Sequence, residues 1–271
     1  MTVQDATAAD AAREITLDRA DGVATIAIRR EHEDNRLARA HLARLGEIVE
    51  EIAADDGIHA VVVTGAGAGW FSAGLLNPEI RAALPKEDVL EVVRLANRTF
   101  DALEALPQIV VCAINGAVTA GAVELALACD IRLASAASFM ACPEALWGGF
   151  PGAGAPVRLP LVVGYGRAME LIATGRRIDA GEMERLGFVE KLCADAEATR
   201  MEAHDLARKI AASGPLATRG AKSIAKTRLA AGFAEARALS DELRRALEYS
   251  ADVDEGIRAH KEGRTPKFTG R

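Results

Sequence analysis

The chain predicts an α/β fold: a core of alternating strands and helices followed by a helical C-terminal part. Three observations predict it. Short unbroken apolar runs (Ala60 to Val63, Ile109 to Ile114, Ile131 to Leu133) alternate with stretches whose apolar residues recur at helical spacing. Such runs suit strands buried on both faces, and their alternation with helices implies parallel βαβ units. From about Ala196 onward the pattern is almost wholly helical, interrupted at Ser213-Gly214-Pro215. No low-complexity linker separates the two parts and no close repeat is visible, so residues 1–195 and 196–271 are expected to pack as one unit.

Taken in order, the first dozen residues are Ala/Asp-rich and read as a tail. Ile15, Leu17, Ala24, Ile26 and Ile28 flank Asp21-Gly22, a hairpin turn signal. Leu42, Leu45, Ile48, Val49 and Ile52 predict an amphipathic helix over Ala40 to Ala54. Val89, Val92, Ala96, Phe100 and Leu103 predict a second, stopped near Pro107. A third helix runs to about Cys129, and Arg167 to Ala173 reads as a fourth. Asp179 to Leu186 is another, with Asp179 and Glu182 as a capping box and Gly187 as its stop. Val189 to Leu192 is the last strand expected.

Composition narrows the function classes. With 271 residues the chain can bury a sizeable core, and 50% apolar with 27% charged residues is ordinary for a globular protein. Aromatics are only 4%, so packing must rest on Ala, Leu, Val and Ile. The net charge of −6, with no run of basic residues, argues against nucleic-acid binding. No apolar run approaches the ~20 residues that span a bilayer, so no membrane segment is expected. The N-terminus resembles neither a signal nor a transit peptide. Cys112, Cys129, Cys142 and Cys193 show no CxxC spacing and read as buried reduced thiols, which fits a cytoplasmic setting.

Several motifs weaken on inspection. Gly65-Ala66-Gly67-Ala68-Gly69 follows a strand, but Trp70 stands where a dinucleotide fingerprint needs its third glycine, and no helix opens there. A plain Gly-rich turn is the better reading. Ser72 lacks the preceding glycine of a nucleophile elbow. The five histidines are scattered, and no ligand spacing suggests a metal.

Two strand-to-loop transitions carry the chemistry. Val61-Val62-Val63-Thr64-Gly65 leads to Phe71-Ser72-Ala73-Gly74-Leu75, and Ile114-Asn115-Gly116 leads through Gly121 to Glu124. Small residues just past buried strands let a ligand approach backbone N–H groups, and two such groups converging would form an oxyanion hole. The plain reading is two tight turns. Glu124, in a first helical turn, and Glu144, before the turn-rich Gly148 to Gly154, are two acids suited to proton transfer beside a carbonyl. Their plain readings are a dipole-complementing carboxylate and an exposed loop acid.

These segments resemble the enoyl-CoA hydratase/isomerase (crotonase) family, from the N-terminal hairpin to Pro266-Lys267-Phe268-Thr269-Gly270-Arg271. The most specific stretches are Phe71-Ser72-Ala73-Gly74, Ile114-Asn115-Gly116 through Asp130, and Pro143-Glu144 through Arg158-Leu159. The resemblance implies a spiral of ββα units with a helical C-terminal region that supports trimers or dimers of trimers. It implies an acyl-CoA thioester substrate and no separate cofactor, coenzyme A being part of the substrate. The oxyanion donors would be the backbone N–H groups of Leu75 and Gly121, and the catalytic acids Glu124 and Glu144. Because both acids are present, hydration of a 2-enoyl-CoA leads. Other reactions of the family (isomerase, dehydratase, hydrolase, decarboxylase) are the alternative, and a non-catalytic binding protein of this fold is a third reading. Ala73, Leu76 and Phe268 are assigned to substrate binding, with Arg36 either on a CoA phosphate or simply solvated.

The chain departs from the family pattern in places. Leu75-Leu76 replaces a small residue and an Asp, so a more apolar, differently shaped pocket is expected. Ala120 and Ala122 replace glycines flanking Gly121, and Ala155 replaces another. Trp147 stands where a smaller aliphatic residue is common; core packing is its leading reading and a pocket wall the alternative.

Overall fold

The structure, a computed structural model, describes residues 7–213, 215–229 and 233–267. Its ten strands are β1 (Ile15–Ala20), β2 (Val23–Ile28), β3 (Ala60–Gly65), β4 (Trp70–Ser72), β5 (Ile109–Ile114), β6 (Ala117–Thr119), β7 (Ile131–Ser135), β8 (Phe139–Ala141), β9 (Ile178–Asp179) and β10 (Lys191–Cys193). They form a six-stranded sheet, β1-β2-β3-β5-β7-β10, and a four-stranded one, β4-β6-β8-β9. Only the outer pairs β1–β2 and β8–β9 are antiparallel. The β1–β2 hairpin turns at Asp21-Gly22, with φ of 52° and 74°, as the sequence predicts.

The helices are α1 (Ala8–Glu14), α2 (Arg39–Ala53), α3 (Pro78–Ala83), α4 (Lys86–Ala105), α5 (Gly121–Leu127), α6 (Ala155–Val163), α7 (Tyr165–Thr174), α8 (Ala180–Leu186), α9 (Ala196–Ala211), α10 (Pro215–Leu229), α11 (Phe233–Glu248) and α12 (Ala251–Lys261). Three turns of the chain repeat one plan: a long strand of the first sheet, a short strand of the second, then a helix. β3-β4-α4 and β5-β6-α5 are two of them, and β7-β8 leads through a 3-10 turn to α6.

The apolar runs of β3, β5 and β7 are buried on both faces, which is why they lack alternation. Val61, Val63, Val110, Cys112 and Ile114 face the main core with α2, α4 and α5. Val62, Val111, Ala113 and Leu133 face the other way, onto Ala203 and Ala207 of α9. The C-terminal part is therefore docked on the sheet, as its lack of a linker suggests.

Differences from the sequence reading are local. The short strands of the second sheet are implied by the ββα units of the resemblance but are not legible in the residues, because three-residue strands carry no measurable period. The N-terminal segment is not a plain tail: Thr7 caps α1, its hydroxyl accepting from the Asp10 N–H at 3.2 Å. The expected capping box at α8 is half formed. Asp179 accepts from the Glu182 N–H at 2.8 Å, but the Glu182 carboxylate is held by Arg176, at 2.8 and 2.9 Å. Glu182 is drawn off because a guanidinium offers it two charged donors.

The Gly-rich turn between β3 and β4 is fixed from inside. Buried Asn115 accepts from the Gly65 N–H at 2.9 Å and donates to the carbonyls of Gly67 (3.0 Å) and Trp70 (3.1 Å). Buried Asn35 donates to Ala66 (2.9 Å) and to the same Trp70 carbonyl (2.8 Å). The turn runs into a strand rather than a helix, which accords with a plain turn over a dinucleotide site.

Candidate active site

The two strand-to-loop transitions meet. Gly74 has φ of 85°, and a Cβ there would lie 2.7 Å from the Thr119 carbonyl and 2.8 Å from the Gly121 nitrogen. A Cβ on Gly121 would fall 2.5 Å from the Leu75 side chain. Only glycine permits this approach.

The first loop is locked by the segment around Arg36. The Ala73 N–H donates to the Asp34 carbonyl and the Leu37 N–H to the Gly74 carbonyl, both at 2.9 Å. The half-buried Arg36 guanidinium donates to the Ala73 carbonyl at 3.0 Å, and Ser72 Oγ accepts from the Gly74 N–H at 3.1 Å. Every backbone polar group of Ala73 and Gly74 is thereby committed. The next N–H, on Leu75, and that of Gly121 make no hydrogen bond among the described residues. Just before Gly121, Ala120 holds φ of 52° and ψ of −132°, an unfavourable conformation for a residue with a Cβ. Its N–H is tied to the Ala141 carbonyl at 3.0 Å, so the strain is held by the β8 end.

Glu124 projects from α5 and is 2% exposed. Its Oε1 accepts from the Ala155 N–H at 3.0 Å. Buried Arg158 fixes that segment, donating to the Ala153 carbonyl at 3.3 Å while paired with Asp101 (2.5 Å) and Glu104 (2.6 Å). Burial pushes the Glu124 carboxyl up to about 7, the Ala155 N–H acting the other way. Glu144 sits on the 3-10 turn Pro143–Trp147, and its buried Oε2 has no hydrogen-bond partner. Burial, and then the neighbouring Glu124, push it up to about 8.

Leu75, Leu76, Gly121, Glu124 and Glu144 all line one cavity of about 40 Å³. Of the other residues singled out, Ala73 and Arg36 lie behind the loop rather than in the cavity wall, and Phe268 falls outside the described residues. Trp147 lines the cavity, which corrects its leading reading as core packing: the 3-10 turn that carries Glu144 turns it to the same side.

The expected apolar character holds for Leu75, Leu76, Val93 and Phe150 but not for the whole wall. Arg81 of α3 and Arg244 of α11 also line it, both donating to Glu248 Oε2 at 2.8 Å. They are 6% and 5% exposed, and Glu248 is 2% exposed. The sequence reading missed this trio. Arg244 and Glu248, four apart on one helix, look like a surface pair, and Arg81 is 167 residues from Glu248.

Comparisons with known proteins identify the family and the fold. The family model for enoyl-CoA hydratase/isomerase matches residues 18–271. YngF of Bacillus subtilis, an enoyl-CoA hydratase/isomerase by name, is 38% identical over 92% of this chain and 95% of its own. The short-chain-enoyl-CoA hydratase of Clostridium acetobutylicum is 34% identical over 77% of this chain and 79% of its own. The crystal structure of an enoyl-CoA hydratase from Bacillus anthracis superposes with a TM-score of 0.75 at 36% identity, covering 95% of this chain and all of that one. The chain belongs to the enoyl-CoA hydratase/isomerase family, and is an enzyme of the crotonase fold.

Proposed function

We propose that the protein is an enoyl-CoA hydratase, adding water across the double bond of a 2-enoyl-CoA. The observation that carries this is the convergence of two carboxyl groups and two unengaged backbone N–H groups on one small cavity. The Leu75 and Gly121 N–H groups hold the thioester oxygen as enolate charge develops on it. Glu124, as carboxylate, takes a proton from water while the water oxygen bonds to the β-carbon. Glu144, as acid, gives its proton to the α-carbon. Burial pushes both carboxyls up toward neutrality, which suits a pair that exchanges protons with water and the α-carbon. Leu76 flanks the acyl group and Ala73 supports the donor loop, while Arg36 and Phe268 are assigned to the CoA side. Removing one oxyanion donor in other enzymes costs roughly 3–4 kcal/mol, so the loop geometry matters as much as the acids.

The test is loss of conjugated-thioester absorbance with crotonyl-CoA. Turnover by the parent and a fall of at least ~100-fold in kcat for Glu144→Gln are expected, the size general acid catalysis supplies. No turnover on any 2-enoyl-CoA by folded, CoA-ester-binding protein would sink the hydratase reading.

A further inference from the structure

Arg81 and Arg244 present more positive charge and more donors to the cavity than Glu248 uses. Both bind the same Glu248 oxygen. The Nε of each is buried without a hydrogen-bond partner. Their Nη1 atoms converge: a Cβ on Gly149 would lie 3.4 Å from both. A staple between α3 and α11 needs one guanidinium for one carboxylate, and burying a second cation without its own counter-charge is unfavourable. The other acids on the cavity, Glu124 and Glu144, form no hydrogen bond or ion pair with either guanidinium among the described residues.

We infer that the acyl group carries a carboxylate a short distance beyond the reacting carbons, bound by Arg81 and Arg244. Paired guanidinium donors match a carboxylate's two oxygens, and a fixed planar fork discriminates it from a methyl group of similar size. Leu76 and Trp147, which line the same cavity, supply apolar contact to the carbons between. The inference rests on the hydratase reading for the position of the reacting carbons, but recognition of the acid end is measurable without turnover.

The experiment pairs saturated thioesters of equal length on the full-length protein: succinyl-CoA against butyryl-CoA, and glutaryl-CoA against pentanoyl-CoA, by calorimetry. The acid-ended member of each pair is expected to bind at least tenfold more tightly. In Arg81→Gln and Arg244→Gln that ratio should fall toward one, and the lysine variants should restore part of it. Equal or weaker binding of the acid-ended esters by the parent protein would overturn the inference, whether or not the variants fold. Turnover separates the two ideas. Rapid hydration of crotonyl-CoA with rejection of 4-carboxybut-2-enoyl-CoA would remove the carboxylate site and keep the hydratase. Tight binding of acid-ended esters with no hydration of either would do the reverse.

Discussion

Glu124 and Glu144 differ in surroundings more than in chemistry. Both are moved upward mainly by burial, but Glu124 keeps a backbone donor where Glu144 Oε2 keeps none. For a base that must be ionised and an acid that must be protonated, kcat/KM should rise through about 7 and fall through about 8. The two limbs belong to the pair as a whole. A profile of kcat/KM on crotonyl-CoA from pH 5.5 to 9.5 measures this, and a flat plateau across that range would contradict the role assignment. Both residues were legible as candidate acids in the sequence. Their burial was not, because for Glu124 it depends on the Ala153 to Ala155 backbone and on Arg158.

At the scale of elements, the site is a junction between the ends of β4 and β6, and its precision comes from what holds those ends. Asn115 pins the Gly-rich turn that leads into β4, engaging three backbone groups with one side chain. Asn115→Ala leaves the Gly65 N–H and the Gly67 carbonyl without that partner in a buried setting. It should destabilise the protein by about 2–4 kcal/mol in denaturant unfolding. A loss under about 0.5 kcal/mol would show that the turn repairs itself. The first-sheet strands were legible because burial on both faces leaves unbroken apolar runs. β4, β6, β8 and β9 were not, because at two or three residues their order comes from pairing with neighbours. The Arg81–Glu248–Arg244 trio was equally hidden, since neither of its helices announces the other.

For the whole molecule, the helical C-terminal part does two things. α9 closes the back of the six-stranded sheet, and α11 brings Arg244 to the cavity. Large apolar side chains remain exposed, among them Leu161 (62%), Tyr165 (74%) and Ile224 (74%). We propose that residues 196–271, which carry Ile224, assist assembly into a trimer or a dimer of trimers, with Leu161 and Tyr165 exposed on α6 and α7 outside them. Light scattering should then give three or six times the 28.6 kDa chain mass, and a monomer would refute it. Among the described residues no helix is long and apolar enough to cross a membrane.

The shared grip on the Trp70 carbonyl has a consequence for the order of assembly during folding. Asn35 and Asn115 reach it from 35 and 45 residues away in opposite directions along the chain. The first needs the segment after the hairpin brought to the turn and the second needs β5 brought to β3, and closing such long loops before any reward is slow. The Gly-rich turn that leads into β4 is thus expected to set late, after the transition state. In kinetic terms the loss of Asn115 would quicken unfolding while leaving the folding rate nearly unchanged. The lead-in to the chemistry-bearing loop would then be among the last things the nascent molecule acquires.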